Sequence, residues 1–434
     1  MPCNPQMLFV MMAVALAGIA PADTHARTLH SAHVRHHKHV RAPARHVMTP
    51  LKPLRGEPAA SAVSAAGEFD QWLDVLGQSG DVAGLAVAIV KDDKVLLERG
   101  IGYADWSTRE PVGSDTVFRL ASLSKAFATA MAGILVERGV IGWDTKVSDV
   151  LPTFSLADPR DTRALSIGDI LSHRVGLPHN TYDTLLEQDE PYPLLVAKLK
   201  DVPLACPVGA CYGYQNVAFS LIGDVTFTVT GDFFYHQVEI NLFHPLDMKT
   251  ATYGRDALEG TTGWAHPHRR KGHAWTPFVP NENYYHVAPA AGINASIHDM
   301  ERWLIAQMGG RPDVLSRHLL TKLHTPLVET RHQIRFSPWR RSRLRNAQYA
   351  LGWRIYDYAG NTLVFHAGAV EGYRAMIGFL PKQRFGVVML WNCASAAPAG
   401  LLPMLLDRYL GLPQVNWAGI ETDNSDTETA SRGD

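Results

Sequence analysis

Ser122 and Lys125 stand three residues apart within Phe118-Arg-Leu-Ala-Ser-Leu-Ser-Lys-Ala-Phe127. On a helix, positions i and i+3 share a face, so this hydroxyl and this amine would meet. The residues that follow are apolar nearly all round, with Leu123, Ala126, Phe127, Ala130, Met131, Ile134 and Leu135, the pattern of a buried helix. Thr129 falls on the same face as Ser122 and Lys125. A lysine placed there is costly unless its charge is paired or its pKa falls. A desolvated amine can take a proton from a neighbouring hydroxyl and turn it into a nucleophile. A serine at a helix start also gains free N–H groups for a developing oxyanion. The short tetrad alone favours a capping serine and a lysine that snorkels to solvent, and the apolar context brings the two readings level.

Two further groups complete the chemistry. Tyr214-Gln-Asn216 lies where a loop meets an apolar helix. A tyrosine beside a cationic lysine can titrate low enough to act as a base, or can relay a proton. An asparagine two residues on can hydrogen-bond both the lysine and a substrate amide. Tyr212 competes for the role, but only Tyr214 has the asparagine at that offset. Phe365-His366-Ala-Gly368-Ala369 closes a β-rich run. Gly368 would let a substrate backbone approach the strand edge. The Ala369 N–H would join that of Ser122 as an oxyanion hole. His366 would orient a substrate carboxylate or assist proton transfer. On this reading Ser122, Lys125 and Tyr214 are catalytic, and Asn216, His366, Gly368 and Ala369 bind substrate.

In this order the three groups resemble the penicillin-recognising serine hydrolases. The nearer likeness is to the branch that holds class C β-lactamases, D-alanyl-D-alanine carboxypeptidases, D-aminopeptidases and related esterases. That family carries S-x-x-K, then Y-x-N, then K-T-G or H-x-G. Ile170-Leu-Ser-His-Arg-Val-Gly-Leu-Pro178 is similar to its LLxHxSGLP segment, and Ala291-Gly-Ile-Asn-Ala-Ser296 with Asp299 to its glycine turn before a helix. The resemblance spans about residues 65–412. It implies an α+β fold: an antiparallel sheet flanked by helices, with an inserted, mostly helical subdomain and the site between them. It also implies acyl transfer through an ester on Ser122, acting on β-lactams or D-alanyl peptides of the cell wall. An esterase or amidase of the same fold is the alternative, and a non-catalytic penicillin-binding sensor a third reading. His366 replaces the lysine of the β-lactamases and Ala367 the threonine, which leaves the substrate open. Basic runs at His266–His273 and His332–Arg345 read as solvated loops, with a role in attracting carboxylates as the alternative.

Elements must position these residues, and their pattern is legible. Phe69, Trp72, Leu73 and Leu76 are spaced as a helix over 66–76. Residues 85–90 and 95–100 read as strands joined by the turn Lys91-Asp-Asp-Lys94. A helix is expected from about Ser122 to Arg138, stopped by Gly139. Residues 145–310 read as the helical subdomain, with an amphipathic helix at Asp299–Met308. Strands follow at 349–356, 362–366, 373–380 and 385–391, and a closing helix at 401–410. Strands from both chain ends and helices between them predict one antiparallel sheet beside a helical subdomain.

The 434 residues are 46% hydrophobic and 19% charged, with a formal net charge of -1. Such a chain has no global pull toward nucleic acid, so the expected partner is a small-molecule or peptide substrate. Met7–Ala20 is an unbroken small-and-apolar run. It is too short for a comfortable membrane span and fits a signal peptide over residues 1–26, although no Lys or Arg precedes it. A retained anchor is the alternative. No other segment is expected in the membrane, and the expected location is periplasmic or secreted. Residues 27–64, rich in His, Arg, Ala and Pro, read as a disordered basic linker, and 413–434 as a disordered tail. Cys206 and Cys211 can close a disulfide in an oxidising compartment or remain free thiols; the export reading favours the bond. No metal and no cofactor are expected. H-E-x-x-H, G-x-S-x-G, the P-loop and the dinucleotide fingerprint are all missing from the sequence.

Overall fold

The computed structural model describes residues 60–272 and 274–420. The expected signal peptide and nearly all of the linker lie outside the described residues. In chain order the strands are β1 Gly84–Lys91, β2 Lys94–Asp105, β3 Glu110–Pro111, β4 Val117–Arg119, β5 Thr252–Tyr253, β6 His268–Lys271 and β7 Ala274–Pro277. They continue as β8 Ile293–Ser296, β9 Val328–Glu329, β10 Leu344–Tyr349, β11 Arg354–Tyr358, β12 Asn361–Val370, β13 Tyr373–Leu380 and β14 Phe385–Trp391.

Nine strands form one antiparallel sheet in the order β3-β2-β1-β14-β13-β12-β11-β10-β9. The first hairpin therefore docks on the last strand, through a register that sets Leu85 opposite Trp391 and Lys91 opposite Phe385. The two faces of β1 are buried in different cores. Leu85, Val87 and Ile89 pack with Phe69, Leu73, Leu401 and Leu405 from the terminal helices Ala62–Ser79 and Ala397–Leu410. Ala86, Ala88 and Val90 pack with residues of the helices Ser124–Glu137 and Ile297–Gln307. A strand covered on both sides reads as a continuous apolar run, as residues 85–90 do.

The expected α+β architecture is present, with four boundary corrections. The first helix starts at Ala62, where the Ser61 side chain accepts from the Ser64 N–H, so residues 62–64 belong to the fold and not to the linker. Residues 413–420 are also ordered against the body: Trp417 donates to Asp407 at 2.8 Å and Ile420 is buried. The strand expected over 349–356 is two strands with a turn between them. Gly352 sits in that turn at φ 72°, and a Cβ there would lie 2.8 Å from the Lys125 carbonyl oxygen and 2.7 Å from Thr129 Oγ1. Only glycine tolerates both that backbone and that approach. Finally, the helix expected at 299–308 runs Ile297–Gln307, capped by Ser296 and Asp299. It packs on β1 and β14, so it belongs to the sheet and not to the inserted subdomain. Cys206 and Cys211 are disulfide-bonded. Among the described residues no single helix is long and apolar enough to cross a membrane.

Candidate active site

The turn that carries Ser122 is held from both sides. β4 pairs with β8, and the chain then crosses into a short 3-10 turn, Ala121–Leu123, before the helix Ser124–Glu137 begins. Leu120 N–H donates to the Ile293 carbonyl at 2.9 Å, and Ile293 N–H donates to Ser124 Oγ at 3.1 Å. Phe127 stacks on Trp303 with ring centroids 3.7 Å apart, which fixes the helix against its neighbour. Ala121 has φ 49°, a left-handed backbone that costs a non-glycine residue about 1 kcal/mol or more. This strained position immediately precedes Ser122.

Lys125 is the hub. It is completely buried, and its Nζ lies 2.6 Å from Asn216 Oδ1, 3.1 Å from the Ala290 carbonyl oxygen and 3.3 Å from Ser122 Oγ. Asn216 Oδ1 and the carbonyl can only accept. A neutral amine has two N–H groups for them and one lone pair, which is left facing the Ser122 hydroxyl. Asn216 is oriented for this by its own amide, which donates to Asp183 Oδ2 at 2.7 Å. Burial brings the Lys125 pKa down to about 7; Asp183 pulls it upward, and the Arg354 charge pushes it further down. The amine is therefore poised as a base near neutrality.

Tyr214 and Ser122 line the same cavity. Burial raises the Tyr214 pKa above the ordinary phenol value, and the opposing effects of Arg354 and Ser122 are smaller. Of the two roles expected for Tyr214 this favours the relay over the low-titrating base: burial holds it as a neutral phenol, and Lys125 is the group placed to take a proton. Tyr212 stands behind it, with its hydroxyl 3.5 Å from Arg354 Nη1. Thr129 turns away and bonds the Ala126 carbonyl within its own helix.

β12 forms the opposite wall. Its pairing with β11 ends at Arg354 opposite Phe365, while its pairing with β13 continues to Val370. Residues 366–370 thus keep one strand edge open beside the nucleophile. A Cβ on Gly368 would lie 2.3 Å from the Leu120 carbonyl oxygen and 3.1 Å from Ser122 N, so glycine is what lets the strand close on the turn. Ala367 and Ala369 line the cavity, which measures about 320 Å³.

His366 departs from expectation. Its side chain is fully buried and points behind the wall, with Nε2 3.2 Å from the Tyr349 hydroxyl and Nδ1 3.0 Å from the Ala367 carbonyl oxygen. Burial, with the Arg354 and Lys125 charges, holds its pKa well below the usual histidine value. It is a neutral packing partner, not a contact for a substrate carboxylate.

Sequence reading missed two residues at the site, Arg354 and Asp183, and gave a third, His173, no role beyond its place in the Ile170–Pro178 segment. Arg354 lines the cavity, with its guanidinium 5.7 Å from the ring centroids of both Tyr214 and Tyr349. Asp183 anchors Asn216. His173, at φ 59°, accepts the Gln215 N–H at 3.1 Å and so fixes the Tyr214–Asn216 turn. The basic run at 332–345 touches the cavity through Gln333 and Phe336. Two of its arginines are tied down: Arg343 pairs with Asp407, and Arg340 lies over the Trp339 and Tyr356 rings and reaches Gln333 at 3.3 Å. In the 266–273 run, Arg269 pairs with Glu371 and Arg270 with Asp81, and His273 lies outside the described residues.

The family model described as Beta-lactamase matches residues 69–407. The unguisins hydrolase ungD of Aspergillus violaceofuscus is 27% identical over 82% of this chain and 67% of its own length. Protein flp of Staphylococcus aureus is 25% identical over 73% of this chain and 61% of its own length. The chain thus spans about two thirds or less of these relatives. The octameric penicillin-binding protein homologue from Pyrococcus abyssi superposes with a TM-score of 0.70 at 21% identity, covering 80% of this chain and 78% of that one. The chain belongs to the Beta-lactamase family and carries its serine-hydrolase fold.

Proposed function

We propose that the protein is an acyl hydrolase that forms an ester on Ser122 and releases it to water. The observation that carries this reading is the Lys125 hub: two acceptors take the N–H groups of the neutral amine and leave its lone pair to Ser122. Lys125 accepts the Ser122 proton as Oγ attacks the carbonyl. The N–H groups of Ser122 and Ala369 receive the oxyanion. Tyr214 passes its proton to the leaving group and regains one from the Lys125 ammonium. Water then repeats the cycle on the ester.

The open edge of β12 favours a substrate with an amide that can lie alongside a strand. This supports β-lactams or D-alanyl peptides as substrates, with Arg354 as the cation on the cavity wall. An esterase reading is favoured by one observation, the inward turn of His366 beside Ala367, which leaves no side-chain donor from this motif for a carboxylate. We place the protein in an oxidising compartment, periplasmic or extracellular, on the support of the Cys206–Cys211 bond.

A chromogenic cephalosporin, a D-alanyl-D-alanine peptide and a short-chain nitrophenyl ester, assayed side by side, test the substrate. Turnover of either amide substrate upholds the proposal. Turnover of the ester alone would replace it with the esterase reading, and acylation without turnover would replace it with a sensor.

A further inference from the structure

Away from the catalytic cavity, Glu98 on β2 meets His298 and Glu301 on the helix Ile297–Gln307. Their donor atoms all lie within 4.8 Å of one another. His298 Nδ1 is 3.0 Å from Glu98 Oε2 and 3.3 Å from Glu301 Oε1. Glu301 is only 6% exposed, and its Oε2 has no hydrogen-bond partner. Two carboxylates that share one pocket repel each other, and a buried acceptor without a donor is costly. A cation held among the three side chains would relieve both.

We propose that Glu98, His298 and Glu301 form a binding site for a divalent first-row transition ion, with zinc as the best match. One imidazole nitrogen and two carboxylates make a zinc donor set, with the fourth position left to water. Calcium and magnesium take oxygen donors, and more of them. The geometry is already close. Ligand bonds of about 2.0–2.1 Å give a tetrahedron whose edges are about 3.3 Å, near the 3.0 Å and 3.3 Å separations from His298 Nδ1. One ligand comes from a strand and two from a helix, one turn apart, so the ion would tie β2 to the helix that covers β1 and β14. Glu98 and His298 are partly exposed, which gives an ion a way in.

One neighbour opposes the ion. Arg302 Nη2 lies 2.9 Å from His298 Nε2, and its other terminal nitrogen holds Asp247. A metal on Nδ1 puts the ring proton on Nε2, where it faces the guanidinium; Arg302 then keeps Asp247 alone. Replacing Arg302 with glutamine removes that positive charge and supplies an oxygen that can accept the Nε2–H.

The test is thermal unfolding of the full chain, stripped by chelator, with and without about 100 μM zinc. For micromolar binding the wild-type midpoint should rise by about 4 °C. Glu301→Gln should abolish the zinc-induced rise, whatever its midpoint without metal. Arg302→Gln should keep a rise at least as large as that of the wild type. The histidines between His30 and His46 are common to all variants and cancel in the comparison. No rise in the wild type, an equal rise in Glu301→Gln, or a smaller rise in Arg302→Gln would overturn the proposal.

Discussion

Replacing Asp183 with asparagine tests how the base is tuned. Asp183 orients Asn216 and acts on Lys125 by its charge. The chain of contacts is Lys125 Nζ to Asn216 Oδ1 at 2.6 Å and Asn216 Nδ2 to Asp183 Oδ2 at 2.7 Å. Across the amide this sets the ammonium and the carboxylate about 6–7 Å apart. At an effective dielectric of about 20, two unit charges at that separation interact by about 2–3 kcal/mol. Asp183 is itself pushed toward its neutral form by burial, so only part of this acts on the lysine. The expected change is a fall of about one unit in the Lys125 pKa. Its sign follows from the chemistry. The neutral amine is the active form, so kcat/KM rises with pH through the Lys125 pKa of about 7. With Asp183→Asn that acid limb moves to lower pH, while the asparagine oxygen can still accept from Asn216. The assay is a pH profile of kcat/KM for both proteins on whichever substrate of the panel is turned over. A limb that stays in place, or moves to higher pH, would refute Lys125 as the titrating base and Asp183 as its modulator.

Other outcomes follow from the same geometry. Gly368→Ala puts a Cβ 2.3 Å from the Leu120 carbonyl oxygen. It should lower kcat/KM by about a hundredfold or more and destabilise the fold by about 1–3 kcal/mol, readable as kinetics and a denaturant midpoint. Lys125→Met should abolish turnover; it removes a buried amine whose charge is disfavoured but also takes the donor from Asn216 Oδ1 and the Ala290 carbonyl, two opposing effects on stability. Linkage gives a second check on that variant. The folded pKa lies below the unfolded value, so between about pH 7 and pH 10.5 the unfolded chain binds the extra proton and wild-type stability gains with rising pH from this group. Chemical denaturation at pH 7 and pH 9 should show the wild type gaining stability relative to the variant at the higher pH.

The parts of the site that a sequence displays well are those set by short-range spacing. Ser122 and Lys125 are three residues apart, Tyr214 and Asn216 two, and each pair arrives where its spacing implies. The strands Tyr373–Leu380 and Phe385–Trp391 are equally legible, since both are apolar runs bounded by turn residues. Direction and burial are harder to read. His366 shares the motif position of a substrate-facing lysine, but nothing in its neighbours reveals that its ring turns inward to Tyr349. Arg354 was hidden because Tyr349–Tyr356 reads as one strand. The available signal was the charge itself: in the alternation of β11, Arg354 stands on the same face as Tyr356 and Tyr358, which pack in a core. Asp183 sits in a polar stretch, Thr181-Tyr-Asp-Thr184, and only the fold brings it to Asn216, 33 residues away. The Glu98–His298–Glu301 cluster likewise joins residues 200 apart in the chain, with no spacing to announce it.

The proposed mechanism requires that Ser122 become acylated with Lys125 as its base. Intact-protein mass spectrometry after brief exposure to an acylating β-lactam or an activated ester measures this directly. A single adduct that maps to Ser122 is expected, absent from Ser122→Ala, and formed more slowly in the wild type as pH falls below about 7. An adduct of equal yield in Ser122→Ala, or one mapped to another residue, would contradict it.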